Sequence, residues 1–296
     1  MNLQRSELKR SLRAILSVLF MLGGCKDNGI QPPPIETAIT RDDAPAWSPD
    51  GSRICYEHVN IDPNDTTYPT GLYLIDSSGI NRQLVISGSV HNPDWSPDGR
   101  RIAFTRGDIF TISPSGDSLQ KITSSGNVFF PSWSSDGKYL AFARSGPQDS
   151  VGIWILDLPM MTESRLGFGG EPDWSPTGLQ IVYSGPPGST GSESQIWVVD
   201  TNGSNNTELT ANMSHINRYP AWSPDGALIA WTTDVGISLM KSDGSNPRVV
   251  ALDYASEPSW SNDSRQIVYT KLNHTRDRSV LWKINIDGSG ERQLTN

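Results

Sequence analysis

The chain has 296 residues, with 24 Lys and Arg against 32 Asp and Glu and a formal net charge of −8. That acidic balance argues against a protein built to grip nucleic-acid phosphates. Glycine (27), proline (21) and tryptophan (10) are abundant. Beyond residue 25 no sustained i, i+3, i+4, i+7 apolar pattern occurs, so short strands joined by turns are expected and helices should be few.

Residues 1–24 read as a signal peptide. Arg5, Lys9, Arg10 and Arg13 form a basic start, and "AILSVLFML" (14–22) is an apolar stretch too short for a stable membrane span. "LGGC" (22–25) follows. Small residues before a cysteine at the end of such a stretch resemble the lipobox of bacterial lipoproteins. That resemblance implies cleavage before Cys25 and lipid attachment to it; an ordinary secretory signal with an incidental cysteine is the alternative. Lipidation would place the protein at the bacterial cell envelope, on the outer membrane, facing the periplasm or the surface. It would also leave Cys55 without a partner for an intramolecular disulfide. Cys55 lies in the alternating stretch "RICYEH" and is expected to be a small buried hydrophobe. Once residues 1–24, with four basic and one acidic group, are set aside, 20 basic and 31 acidic residues remain, a net −11. Residues 25–36, polar and proline-rich, read as the lipidated cysteine and a flexible tether.

From residue 37 to 296 one phrase recurs: "PAWSPDGSRICY" (45–56), "PDWSPDGRRIAF" (93–104), "PSWSSDGKYLAF" (131–142), "PDWSPTGLQIVY" (172–183), "PAWSPDGALIAW" (220–231) and "PSWSNDSRQIVY" (258–269). Its tryptophans, 47, 95, 133, 174, 222 and 260, are 38 to 48 residues apart, the spacing of four-stranded propeller blades. Each phrase is a first strand ending in Trp, a tight turn, and a second strand. In the turn Pro pre-sets φ, Asp bonds nearby backbone and Gly takes positive φ. Ser264 replaces that glycine in the last copy, so the sixth turn is expected to be the least comfortable. Third strands such as "GLYLID" (71–76) and "QIWVVD" (195–200) follow, and then short fourth strands such as "RQLV" (82–85) and "RQLT" (292–295).

These six in-phase copies resemble the TolB-type, WD-like propeller repeat. The resemblance implies an all-β, six-bladed β-propeller of four-stranded antiparallel blades over residues 37–296. The α/β domain that precedes the propeller in TolB is not expected here. "TAITRDDAPAWS" (37–48) and the C-terminal "RQLTN" (292–296) both look able to complete the last blade, and the choice stays open.

Alternating strand direction puts the short turns after first and third strands on one rim. The longer, variable links after second and fourth strands, such as 57–71, fall on the other, where binding usually resides. Residues just before the recurring proline should crowd the mouth of the central channel on that rim. The candidate binding residues are therefore Asp43, His91, Asn92, Phe129, Phe130, Glu171, Arg218, Tyr219 and Glu257. A solvated channel lined without purpose would carry a similar mixture. His58, His91, His215 and His274 all fall in links assigned to this rim, but no HxxxH, HxH or CxxC pair occurs, so no metal is expected. No cofactor motif and no G-x-S-x-G elbow is present.

The expected function is a non-catalytic, envelope-anchored scaffold. Its partner would be an envelope protein, a peptide or a glycan, and its membrane contact the lipid on Cys25. A polysaccharide lyase or hydrolase with its site in the channel is the alternative, with Glu171 and Glu257 as conceivable acid and base. A purely structural module within a larger envelope assembly is a third reading.

Overall fold

The computed structural model describes residues 40–60, 67–147, 151–185, 194–211, 216–272 and 278–295. The expected signal peptide, Cys25, the tether, His215 and His274 lie outside the described residues. Among those described, every regular element is a β-strand.

Each sequence repeat supplies four strands in order. Repeat 1 has β1 (Thr40–Trp47), β2 (Arg53–Asn60), β3 (Gly71–Asp76) and β4 (Gln83–Ser87). Repeat 2 has β5 (His91–Trp95), β6 (Ile102–Arg106), β7 (Asp108–Ile112) and β8 (Gln120–Lys121). Repeat 3 has β9 (Val128–Trp133), β10 (Tyr139–Arg144), β11 (Gly152–Asp157) and β12 (Thr162–Gly167). Repeat 4 has β13 (Gly170–Trp174), β14 (Gln180–Gly185), β15 (Gln195–Asp200) and β16 (Thr207–Glu208). Repeat 5 has β17 (Asn217–Trp222), β18 (Leu228–Thr233), β19 (Ile237–Lys241) and β20 (Arg248–Ala251). Repeat 6 has β21 (Ala255–Trp260), β22 (Gln266–Leu272), β23 (Ser279–Asn285) and β24 (Arg292–Gln293).

The expectation of six separate blades is corrected by the strand pairing. Repeats 2, 3, 4 and 5 form four separate four-stranded blades, whereas repeats 1 and 6 join in one eight-stranded sheet. The joint is a single parallel bridge, Arg41↔Ser279, made because the start of β1 reaches β23. Neither end of the propeller segment trades places: β24 pairs with β23, and β1 pairs along its length with β2.

The turn after each first strand follows from its chemistry. In repeat 1 Ser48 Oγ donates to Asp50 Oδ1 (2.6 Å) and accepts from Arg53 N (2.9 Å), while Gly51 N donates to Ser48 O (2.8 Å). Ser96, Ser134, Ser223 and Ser261 repeat the pattern with their own Asp. Where Thr177 replaces Asp, the two hydroxyls bond each other at 3.0 Å. Ser264 adopts φ 57°, the left-handed conformation its glycine counterparts take, and its Oγ accepts from Asp225 N of the preceding repeat at 3.1 Å.

Packing runs from repeat to repeat because strand side chains alternate faces. Ile102 and Phe104 pack against repeat 1 beside Cys55, Leu72 and Leu74, while Ala103 faces repeat 3 beside Leu140 and Phe142. The same apolar contact joins the last repeat to the first, where Val268 and Leu281 pack with Trp47, Ile54 and Tyr56. Cys55 is fully buried and free, and burial pushes its thiol well above the ordinary range; it serves as a core hydrophobe, as its alternating context implied.

Candidate functional site at the channel mouth

The inner strand of every repeat carries a bulge at the residue before its proline. Ala44, Asn92, Phe130, Glu171, Tyr219 and Glu257 all take φ between 49° and 56°, and the ladder register shifts at each of these points. Non-glycine residues seldom occupy this region, and here each is followed by a proline that disfavours helical geometry before it. The bulge interrupts the alternation of the inner strand and brings each of these residues to the lining of the channel.

The six residues share one cavity of about 240 Å³, lined by the whole set of residue-Pro-residue triplets from Ala44-Pro45-Ala46 round to Glu257-Pro258-Ser259. Of the residues picked from sequence, Asn92, Phe130, Glu171, Tyr219 and Glu257 line this cavity. Asp43, His91 and Arg218 stand one step outward and act on it through neighbours. Phe129 is also one step out, 38 % exposed, and makes no lining contact. Neither His58 nor His91 is in a link: His58 is buried on β2, and His91 opens β5.

The mouth has two unlike halves. On one, the rings of Phe130 and Tyr219 meet edge-on at 5.9 Å, across the repeat that lies between them. Glu171 sits beneath this pair, buried, and accepts from Tyr219 N (2.8 Å) and Ser184 Oγ (2.7 Å). Arg218 Nη2 bonds its other oxygen and extends over the Tyr219 ring. Burial and the charges of Glu171 and Glu257 push the Tyr219 hydroxyl up to about 12.

The other half is acidic. Glu257 Oε2 accepts from Ala44 N (2.9 Å) and Thr270 Oγ1 (3.0 Å). Burial, reinforced by the charge of Asp43, lifts the Glu257 carboxyl to about 7. Asp43 itself is lifted to about 6, chiefly by burial and also by Glu57. Glu57 Oε1 bonds His91 Nδ1 at 2.8 Å, and that bond raises the imidazole above its ordinary range. Among the described residues no three His, Cys, Asp or Glu side chains converge as a metal-ligand group.

Below the mouth lies a second tier that the sequence analysis passed over. Asp94, Ser132, Asp173 and Ser259, each just after the proline, accept from the backbone N–H of the next repeat's tryptophan: Trp133 (2.8 Å), Trp174 (3.2 Å), Trp222 (2.7 Å) and Trp47 (3.1 Å). Where Ala46 and Ala221 stand instead, the next indole N–H donates to their carbonyls, from Trp95 (3.2 Å) and Trp260 (2.9 Å). Burial lifts Asp94 to about 7 and Asp173 to about 6. The signal was present as P-[A/D/S]-W in every copy. A second unexpected feature is a buried network in repeat 1, in which Asp42 Oδ1 contacts His58 Nδ1 (2.6 Å) and Arg82 Nη2 (3.1 Å), with Arg82 lying over Tyr68 and Tyr73.

Four-stranded repeats packed in series around a channel, with a bulged ring of residues at its mouth, define a β-propeller. The chain belongs to the TolB beta propeller domain family, whose model matches residues 60–296. No curated protein gives a significant match. Among solved structures it is similar to TolB from Acinetobacter baumannii, at 22 % identity and TM-score 0.68 over 75 % of this chain and 58 % of that one. The chain thus spans less than two thirds of that TolB. It is also similar to a chain of a nidogen/laminin complex (10 % identity, TM-score 0.64, 87 % and 94 % covered). A third likeness is to an oligogalacturonate lyase in complex with manganese (14 %, TM-score 0.57, 84 % and 90 % covered). At these identities the likeness to solved structures is one of fold.

Proposed function

We propose that this chain is a non-catalytic binding propeller of the bacterial cell envelope, tethered by lipid on Cys25, that holds a protein or peptide segment at its channel mouth. The observation that carries the reading is the convergence of one strained, non-glycine residue from every repeat on a single cavity. Backbone strain of this kind persists where surrounding structure over-determines it, and it clusters at functional sites. An aromatic pair facing a set of carboxylates offers a partner both an apolar anchor and directional hydrogen bonds. A glycan would use the same aromatic pair and is the other ligand class consistent with this mouth.

The test is photo-crosslinking of the full-length protein in cells, with the reactive group placed at Asn92. A discrete adduct is expected, and it should vanish when Phe130 and Tyr219 are both replaced by Ala. An adduct unaffected by that double change would refute the site. The anchor has its own check: Cys25→Ser should move the protein from the membrane fraction to the soluble fraction, and retention on the membrane would overturn lipidation.

A second reading has one observation in its favour. Glu257 held near 7 beside Asp43 near 6 is the kind of perturbed carboxylate pair found at catalytic sites. Incubating the full chain with oligogalacturonate, with and without manganese, separates the two. Unsaturated products lost in Glu257→Gln would establish the enzyme; intact substrate supports the binding reading.

A further inference from the structure

On the rim opposite the mouth, the turns after first and third strands enclose a cleft between repeats 2 and 3, with a volume of about 450 Å³. It exposes part of a residue the fold otherwise hides. Five of the six consensus tryptophans are buried, at 5–8 % exposure, and Trp133 alone is not. In three repeats the indole is covered from one position of the preceding repeat, the residue just before the apolar run of its second strand. There Arg53 lies over Trp95 (5.6 Å), Tyr139 stacks on Trp174 (6.2 Å, 29°) and Leu228 packs with Trp260. The counterpart facing Trp133 is Arg101, whose Nη1 is drawn aside to Thr111 Oγ1 (3.0 Å) and Ser118 O (3.3 Å). Among the described residues no ring or cation lies over the Trp133 face.

We propose that this cleft binds a neutral saccharide, with a sugar ring laid on Trp133. The floor is apolar, formed by Trp133, Ile122, Leu158 and Met161, and the edge is polar. Two cations, Arg100 and Arg101, face two anions, Asp98 and Asp136, so the lining carries no net charge to select an ionic ligand. Asp98 is drawn below the ordinary carboxylate range chiefly by the bond it accepts from Ser96 Oγ, and Asp136 chiefly by the bond it accepts from Lys138 N, so they stand as acceptors at neutral pH. Gln120 supplies both a donor and an acceptor, and the guanidinium of Arg101 keeps donors beyond its engaged Nη1. A pyranose presents the matching surface: apolar C–H faces for the indole, and hydroxyls round its edge that both donate and accept. The volume falls within the range of small-molecule pockets, roughly 300–1,000 Å³. An aromatic side chain of a protein partner would fill the floor but leave the charged edge unmatched. The site is independent of the channel mouth and of the function assigned to it.

Calorimetric titration of the full chain with maltose, cellobiose and N,N′-diacetylchitobiose tests this, with digalacturonate as the anionic comparison. At least one neutral disaccharide should bind, with a Kd on the order of 1 mM, and more tightly than digalacturonate. Trp133→Ala should abolish that binding, and Tyr219→Ala at the far rim should leave it unchanged. Because Trp133 also packs in the core, Gln120→Ala and Met161→Ala, at exposed positions, supply variants that keep the fold; each should weaken binding about threefold. Absence of heat with all three neutral sugars overturns the proposal. So does binding that survives Trp133→Ala in a folded protein, or stronger binding of digalacturonate. If N-acetyltryptophanamide binds at Trp133 and no sugar does, the cleft is a protein-docking pocket and the saccharide assignment falls.

Discussion

Glu171 and Glu257 occupy the same position in repeats 4 and 6, in the same left-handed backbone, at φ 53° and 56°. Each caps the next repeat's backbone, at Tyr219 N and Ala44 N, and each accepts one hydroxyl, from Ser184 and Thr270. Their electrostatic settings differ through one residue of the following repeat. Beside Glu171 stands Arg218, which bonds it; at the corresponding place near Glu257 stands Asp43, which repels it. One frame therefore yields a neutralised aromatic half and an uncompensated acidic half. The backbone sets where the side chains go, and the residue before the bulge sets their charge.

The largest effect should come from breaking the compensated side. Glu171→Ala leaves Arg218 without its partner and Tyr219 N and Ser184 Oγ without their acceptor. Buried groups orphaned in this way cost about 1–3 kcal/mol each, and loss of one member of a buried ion pair costs more, though Arg218 is half exposed and is discounted for that. A net loss of about 3 kcal/mol is expected, read as a fall in Tm of roughly 10 °C. A change below about 1 kcal/mol would show that the pair does not hold the two repeats together.

Next in size is the uncompensated side, where the sign reverses. Glu257 is raised from 4.5 to about 7 in the fold, so between those values the folded state binds more protons than the unfolded one. Stability from this group is complete below about pH 4.5 and is lost as pH climbs through about 7. Glu257→Gln keeps an oxygen acceptor for Ala44 N but removes the charge. It should stabilise by about 1–2 kcal/mol at pH 8 and change little at pH 4, as followed by thermal unfolding at both values. Equal effects at the two pH values would show that Glu257 ionises freely. Asp43→Asn should act in the same direction but less, about 1 kcal/mol at pH 8, because Asp43 is the second cause of the Glu257 shift after burial.

Much of this was legible in the chain because it repeats in phase. The Ser-Pro-Asp-Gly turn and the strain at Ser264 follow from local chemistry, and the alignment on proline places one residue per repeat at the mouth whatever its identity. The contrast between Arg218 and Asp43 was visible as letters. The ionisation of their neighbours was not, since it depends on burial and on Glu57, a residue of β2 with no special place in the repeat. The Asp42–His58–Arg82 network was hidden for a related reason: its members lie up to 40 residues apart, and no other copy carries an Asp and a His at the places of Asp42 and His58. The fusion of repeats 1 and 6 into one sheet turns on the single bridge at Arg41, where two ends of the propeller segment meet, and no periodicity reports on such a junction.

The smallest effect separates backbone from charge. Ala44 holds φ 49°, and an L-residue in this region costs roughly 1–2 kcal/mol that glycine avoids. Glycine also loses more conformational freedom on folding, which offsets about 0.4–1 kcal/mol of the gain. Ala44→Gly should therefore stabilise by about 0.5 kcal/mol. Since strain does not titrate, the gain should be the same at pH 4 and pH 8, unlike that of Glu257→Gln. A gain that grew with pH would mean that the bulge and the carboxylate it bonds are coupled. The two halves of the mouth would then differ in backbone as well as in charge.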